Sequence, residues 1–232
     1  MKRCILMGLF LTLVASSASA QVIDPAFTGR SPRTGALLMR LGSYLPRIDQ
    51  GEGMTGTPYK DFFGNSGMLL FELEGQRYFY QGYGSAGLSL SAGYAEKWGE
   101  GFDVNGQRAG EKSGLQVFPL SLGAFYKMDY AAERWGIPVV PYAEASFRYI
   151  PYRFLNTAQS IHGGKMGYGL TGGVEVYLDF IEPTLARNLD TDTGVNHTYL
   201  FAEYTRAEVN NFGKGGLDLS SRGWMFGFGV DY

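Results

Sequence analysis

Ten charged side chains in this sequence share a spacing that could support ion chemistry. Each lies on one face of a short alternating segment, with large apolar residues at the positions between. They are Arg40, Glu72, Glu74, Lys127, Glu144, Arg148, Glu175, Asp179, Glu203 and Asp231. Successive side chains of a β-strand point to opposite faces, so this spacing puts the charges on one face of a sheet. Acidic residues outnumber basic ones, and rings of carboxylates favour cations.

Two interpretations of this charged set remain open. If the sheet closes into a barrel, the carboxylates could line a path for cations or protons. Alternatively, opposite charges pair and fill the interior, because eight strands leave room for little more than side chains. We favour the second interpretation, since a buried charge persists only when it is paired and hydrogen-bonded. Antiparallel pairing across a symmetric connection would place Arg40 beside Glu72, so we expect these two to form a buried ion pair.

The two histidines lack the neighbours that catalysis or metal binding needs. A histidine, a serine and a carboxylate could together modify lipid acyl groups, but the residue two positions after His197 is Tyr199 and not a serine. We expect His197 to lie at a membrane interface near aromatic residues. His162 has Ser160 nearby and no carboxylate close in sequence. We therefore assign no catalytic, cofactor-binding or metal-binding residue, and we expect no cofactor.

The charged positions belong to eight segments of about ten residues, the length that a tilted membrane strand needs. The segments span residues 34–44, 68–79, 85–96, 115–128, 139–150, 167–180, 198–206 and 224–232. Glycine and serine share the non-apolar face with single charges, whereas a soluble barrel carries long solvated charges on its outer face. The pattern predicts an all-β fold, an eight-stranded antiparallel up-and-down transmembrane β-barrel.

The last segment has the most pronounced alternation in the chain. Its large apolar face consists of Trp224, Phe226, Phe228, Val230 and Tyr232, opposite Gly227, Gly229 and Asp231. This division suits a strand with lipid outside and a narrow polar lumen inside. A terminal aromatic strand also resembles the signal by which bacterial outer-membrane barrels are recognised for assembly. We therefore expect the barrel-assembly machinery to be a partner during biogenesis.

The first 20 residues have the features of an export signal. Lys2 and Arg3 are followed by an apolar run over residues 5–15 and by small residues before Gln21. This run is too short to be a membrane helix. We predict a signal peptide at 1–20, a periplasmic N-terminal segment at 21–33 and a transmembrane barrel at 34–232, located in the outer membrane. The single cysteine, Cys4, lies in the signal, so the mature chain has no disulfide.

The composition favours strands and excludes one class of partner. Glycine accounts for 34 of 232 residues, tyrosine and phenylalanine for 16 each, and charged residues for only 18%. High glycine and aromatic content fits many short strands. The net charge is −2, and the chain has no run rich in lysine or arginine. Nucleic acid is therefore not an expected partner.

An even number of strands places both barrel termini on the periplasmic side. The longer connections, residues 46–67, 97–114, 151–166 and 207–217, would then face outward, as outer loops do. The connections at 80–84, 129–138 and 181–197 would face the periplasm. In the last of these, Pro183 followed by Leu185 and Leu189 predicts a short helix. Residues 190–196 resemble the start of a calcium loop, but Phe201 replaces the required glutamate, so we expect a helix-ending turn.

The chain resembles small outer-membrane barrels of the OmpA and OmpW types. More closely, Ser31-Pro-Arg-Thr-Gly35, Val139-Val-Pro-Tyr142 and Gly194-Val-Asn-His-Thr-Tyr-Leu-Phe-Ala-Glu203 resemble an uncharacterised family of outer-membrane β-barrel proteins. The resemblance covers essentially all of the chain after the signal peptide. It implies the fold and the location, and it brings no activity, ligand or catalytic residue.

These observations predict a monomer, surrounded by outer-membrane lipid, with a structural or surface-interaction role. It would display four extracellular loops around a lumen packed with polar side chains, and it would not be an enzyme. Two alternatives stay open: a narrow channel or carrier for small molecules, and an outer-membrane enzyme that modifies lipids. The sequence identifies no external partner.

Overall fold

The computed structural model describes residues 31–51, 53, 55–102, 108–156, 160–214 and 216–232. The strands in these ranges are β1 (Gly35–Tyr44), β2 (Met68–Gln81), β3 (Ser85–Phe102), β4 (Arg108–Val117), β5 (Leu120–Lys127), β6 (Val139–Leu155), β7 (Ser160–Tyr177), β8 (His197–Glu208) and β9 (Ser221–Asp231). The helices are α1 (Pro58–Phe63), α2 (Tyr130–Trp135) and α3 (Pro183–Thr193), with a 3₁₀ turn at Ile48–Gln50. The expected signal peptide at 1–20 and residues 21–30 lie outside the described residues.

All strands pair antiparallel and close into a ring, which confirms the predicted eight-stranded barrel. β1 pairs with β2 on one side and with β9 on the other, where Ala36 lies opposite Asp231. The amides of Thr34 and Gly35 donate to the carbonyl of Tyr232 at 2.6 and 2.8 Å. The first and last strands therefore leave no open edge between them.

The fourth position of the ring is shared by two strands, β4 and β5, where the sequence predicts a single strand over 115–128. Ala95 of β3 lies opposite Val117, and Ala92 lies opposite Leu120, so the register continues unchanged across the gap. The break falls at Pro119, which has no amide hydrogen to donate to a neighbouring strand. The expected strand is present in its expected place, with an interruption that proline imposes.

Two of the expected outer loops are mostly strand, which corrects the predicted connections at 97–114 and 151–166. β3 continues to Phe102 and β4 begins at Arg108, while β6 continues to Leu155 and β7 begins at Ser160. Backbone pairing needs no apolar face, so a hairpin can extend beyond the point where the alternation of apolar residues ends. The sequence pattern marks only the part of each strand that has an apolar outer face.

The predicted short helix after residue 181 is confirmed as α3, which begins at Pro183 and ends before Gly194 in the left-handed conformation (φ 72°). Two further helices were not predicted. α1 also begins with a proline, Pro58, and α2 ends at Gly136 with φ 67°, so both carried recognisable end signals. No helix in the described part of the chain is both long and apolar enough to cross a membrane.

The outward face of the ring is a continuous apolar belt. Every position in the ring contributes an exposed large apolar side chain, such as Leu41, Phe71, Leu88, Leu122, Phe147, Leu170, Leu200 and Phe226. Exposed apolar patches beyond a few hundred Å² mark a surface that contacts a partner or a membrane. We call the end of the barrel that holds Thr34 and Tyr232 the terminal end, and the opposite end, next to α1, the loop end.

Candidate functional site: the filled lumen

The inward face alternates large side chains with glycines that make room for them. Phe201 on β8 lies opposite Gly227 on β9, and Tyr199 lies opposite Gly229. A Cβ added at Gly227 would come within 2.3 Å of the Phe201 ring and 2.1 Å of the Met39 carbonyl oxygen. Both aromatic side chains are buried, at 4% and 0% exposure. The glycines of the last strand are therefore the space into which two lumen aromatics pack.

We expect Gly227→Ala to destabilise the barrel by about 1–3 kcal/mol, because the added methyl group meets both a packed ring and backbone. Gly172→Ala is the matched control, since a Cβ there has no atom within 4 Å. The free energy of unfolding, measured with denaturant in detergent micelles, should fall for the first variant and stay level or rise for the second. Equal stability of both variants would contradict this packing.

Arg40 forms a central charged cluster with four glutamates from three other strands. Its guanidinium lies 3.4 Å from Glu72, contacts Glu74 directly, and lies 3.2 Å from Glu203 and 3.8 Å from Glu144. Arg40 is 3% exposed and all four carboxylates are buried. The structure places Arg40 directly opposite Glu72, in the register that the sequence suggested. One cation nevertheless serves four anions here, rather than the single pair expected.

Lys127 forms a second cluster nearer the terminal end. Its Nζ lies 2.9 Å from Glu175 and 3.8 Å from Asp231, and all three side chains are fully buried. The same Nζ lies 3.3 Å from the Tyr199 hydroxyl, and the Tyr78 hydroxyl donates to Asp231 at 3.0 Å. The hydroxyls of Tyr199 and Tyr78 thus add hydrogen bonds to Lys127 and Asp231, which are also ion-paired.

Arg33, in the segment before β1, closes the terminal end, and sequence reasoning did not identify it. Its side chain is 8% exposed and lies 3.3 Å from both Asp231 and Glu133. It also contacts Asp129 and donates to Ser85 Oγ at 2.5 Å. Arg33 sits outside every alternating segment, so periodicity gave no signal for it. The segment we expected to be a plain periplasmic extension contributes a residue to the lumen.

Asp179 and His197 are placed differently from the expectation. β7 ends at Tyr177, so Asp179 lies in the following turn, partly exposed, rather than among the lumen charges. Its carboxylate contacts Nδ1 of His197, whose Nε2 lies 3.2 Å from Glu133. His197 is 5% exposed and stacks on Tyr177, so its side chain lies inside the end of the barrel and not on the outer face. His197 and Tyr199 are two positions apart on β8, so the alternation of the strand places both side chains on its inward face.

An apolar plug fills the loop end of the lumen, a feature that the predicted packing of the lumen with polar side chains did not include. The buried members include Tyr44, Ile48, Tyr59, Phe63, Met68, Leu70, Leu115, Val117, Ile150, Val209, Leu219 and Met225. α1 lies over this cluster, with the Tyr59 and Phe63 rings 5.3 Å apart. Burial, together with the Asp49 carboxylate, raises the pKa of Tyr59 to about 12, so its hydroxyl stays protonated and donates to the Ser66 carbonyl.

The charged clusters, Arg33 and the apolar plug leave little free space in the lumen. Arg148, the remaining predicted lumen residue, is 8% exposed and donates to Ser146 at 3.3 Å. It lines a cavity of about 20 Å³ with Tyr44, Thr205 and Met225. That volume holds about one water molecule. Among the described residues, no three His, Cys, Asp or Glu side chains are arranged to hold a metal ion.

The last strand places its aromatic residues as the sequence pattern indicates. Trp224, Phe226 and Phe228 point outward and are exposed at 59%, 58% and 39%. Val230 and Tyr232 are half-buried, and the Tyr232 ring lies 3.1 Å from the position a Cβ would take at Gly35. The strand therefore combines an apolar outer surface with the closing contact of the ring.

Solved structures similar to this chain are small β-barrels. The N-terminal β-barrel domain of Pseudomonas aeruginosa OprF is 11% identical with a TM-score of 0.46, covering 87% of this chain and all of that one. Ail, the attachment invasion locus protein of Yersinia pestis, is 14% identical with a TM-score of 0.44, covering 87% of this chain and 100% of that one. Neisserial surface protein A is 12% identical with a TM-score of 0.46, covering 88% of this chain and 99% of that one. No protein-family model and no curated protein matches the chain.

Proposed function

We propose that this protein is an outer-membrane β-barrel with a structural or surface-interaction role. The apolar belt around the ring supports a membrane location, because lipid is the covering that fits a belt of this kind on every side. The closed ring supports it as well, since only a sheet without open edges satisfies its backbone in lipid. A ring without free edges also supports a monomer, with lipid and the barrel-assembly machinery as its partners.

The observation that carries the proposed role is the filled lumen. From the loop end to the terminal end it holds the apolar plug, the Arg40 cluster, the Lys127 cluster and Arg33. A continuous path for water would have to cross all of them, which weighs against the channel alternative. We also propose no enzymatic role, because both ring nitrogens of His197 are engaged, by Asp179 and Glu133. What the protein offers to other molecules is therefore its loop end.

The loop end is built to present a surface. The β3–β4 and β6–β7 hairpins extend well beyond the roughly ten residues that cross a membrane, with strands of 18 and 17 residues in β3 and β6. α1 packs beside them, with the Phe62 and Phe154 rings 6.1 Å apart and edge to face. The proposal orients this end outward, so that four connections face the cell exterior.

Surface labelling of intact cells tests the orientation. A short tag inserted at Gly53 or Gly213, both in loop-end connections, should be accessible to an impermeant reagent. A tag at Arg187, in α3 at the terminal end, should be labelled only after the outer membrane is permeabilised. All three tagged proteins must first show heat-modifiable mobility, as folded barrels do. Labelling of the Arg187 tag in intact cells would reverse the orientation and with it the proposed surface role.

A further inference from the structure

Two arginines face each other on the outside of the barrel near the loop end. Arg206 on β8 is directly opposite Arg222 on β9, and both point away from the lumen. The Arg206 side chain is 65% exposed. One step toward the terminal end on the same face, Tyr204 and Trp224 pack edge to face with ring centroids 5.4 Å apart. The two cations thus lie directly beyond an aromatic pair of the apolar belt.

A third arginine joins them. The amide of Arg47 donates to the Ser220 carbonyl at 2.9 Å, which places Arg47 beside the start of β9. The carboxylate of Glu208 lies 3.1 Å from Arg206 and 3.5 Å from Arg47. Among the described residues, no carboxylate forms an ion pair with Arg222. We call Arg47, Arg206 and Arg222 the arginine patch; the contacts above supply one anion for three cations.

Like charges directly opposite each other destabilise a strand pair, so this arrangement favours a bound anion. The position of the arginine patch indicates which class of anion lies nearby. Aromatic side chains of a membrane protein mark the level of the lipid headgroups, and the patch lies just outside them. A guanidinium binds phosphate through two parallel hydrogen bonds, a geometry that lysine cannot offer. The outward face of β3 and β4 differs, since there Tyr94 and Gln116 hydrogen-bond to the carboxylate of Glu96.

We propose that the arginine patch binds the phosphate of an anionic lipid in the leaflet around the loop end. Two lipid sources share this chemistry, the phosphorylated headgroup of lipid A and the phosphodiester of a phospholipid. The inference rests on the proposed membrane placement. Its test measures binding by the purified barrel and does not depend on orientation, so a failure here is separable from a failure of the surface-labelling experiment.

The test is native mass spectrometry of the full folded chain in detergent, titrated separately with lipid A, dephosphorylated lipid A and phosphatidylglycerol. The Arg206→Gln/Arg222→Gln variant is compared with Lys60→Gln/Arg153→Gln, which removes the same charge at the same end outside the patch. We expect the patch variant to lose about tenfold or more in affinity for lipid A, because charge-assisted hydrogen bonds are lost. The control should bind as the parent does, and both should keep heat-modifiable mobility.

The outcomes distinguish the two lipid sources and define the results that would overturn the proposal. Loss of phosphatidylglycerol binding in parallel supports a general lipid-phosphate site, whereas binding of lipid A alone assigns the site to that headgroup. Equal binding of dephosphorylated lipid A overturns the proposal. So does unchanged affinity in the patch variant, or an equal loss in the control, which would indicate a bulk charge effect. Displacement of bound lipid by millimolar inorganic phosphate as effectively as by lipid would overturn the lipid part.

Discussion

A chain that lacks residues 228–232 should form no barrel and should accumulate as aggregate or degradation product. The deletion removes the β9 partners of the first part of β1, from Ala36 opposite Asp231 to Met39 opposite Phe228. It also removes the Tyr232 carbonyl that accepts from Thr34 and Gly35. Each backbone group left unpaired in lipid costs several kcal/mol, and an open edge leaves a row of them. Loss of Asp231 further leaves Arg33 and Lys127 without a shared anion.

The measurement is the fraction of membrane-inserted protein with heat-modifiable mobility. Tyr232→Ala is the informative control, because it removes the terminal aromatic ring and keeps the carbonyl that closes the ring. If the control inserts normally and the deletion does not, the open edge is the cause. If both fail alike, recognition of the terminal aromatic residue dominates. A truncated chain that inserts and migrates as a folded barrel would contradict the closure argument.

Arg40→Ala should lower the free energy of unfolding by about 3–5 kcal/mol, the range for removing one partner of a buried ion pair. The variant leaves four buried glutamates without the cation they share. Water that entered the lumen would reduce the loss. Denaturant unfolding in detergent or lipid measures the effect. Arg77→Ala, at an exposed position on β2, should change stability by less than about 0.5 kcal/mol.

A second substitution tests whether stranded charge is the cause. Glu74→Gln in the Arg40→Ala background should recover part of the lost stability, because it removes one uncompensated charge and keeps a hydrogen-bonding group. Glu72→Gln should recover less, since its contact with Arg40 is longer. If Arg40→Ala is as stable as the parent and conducts no ions across a planar bilayer, the filled-lumen model loses its main support. If it is stable and conducts cations, the channel alternative replaces the proposed role.

The sequence predicted the parts of the fold that have a period. Alternation located every ring position, because one face of each strand is apolar and outward and the other meets a crowded interior. Arg40 lies opposite Glu72, as antiparallel pairing across a symmetric connection predicted. Features that do not repeat along the sequence were not predicted. Arg33 lies in no strand, α1 acts by covering the plug, and the outer hairpins extend beyond the part of each strand that has an apolar outer face. The division of the interior into charged and apolar layers depends on how the eight strands are staggered. The sequence of a single strand does not contain that information.

The meeting of Thr34 with Tyr232 means that the wall of the barrel is circular in its connectivity as well as in its shape. Each of the eight ring positions in the described part of the chain has two neighbours, and none is first or last in the hydrogen-bonded ring. A circular permutant, with residues 34 and 232 joined by a short linker and new termini opened in the connection between β8 and β9, would keep every strand pair. It would end on a different strand. Circular permutation would therefore separate two properties that β9 combines, closure of the wall and an aromatic outer face on the strand that comes last in sequence order.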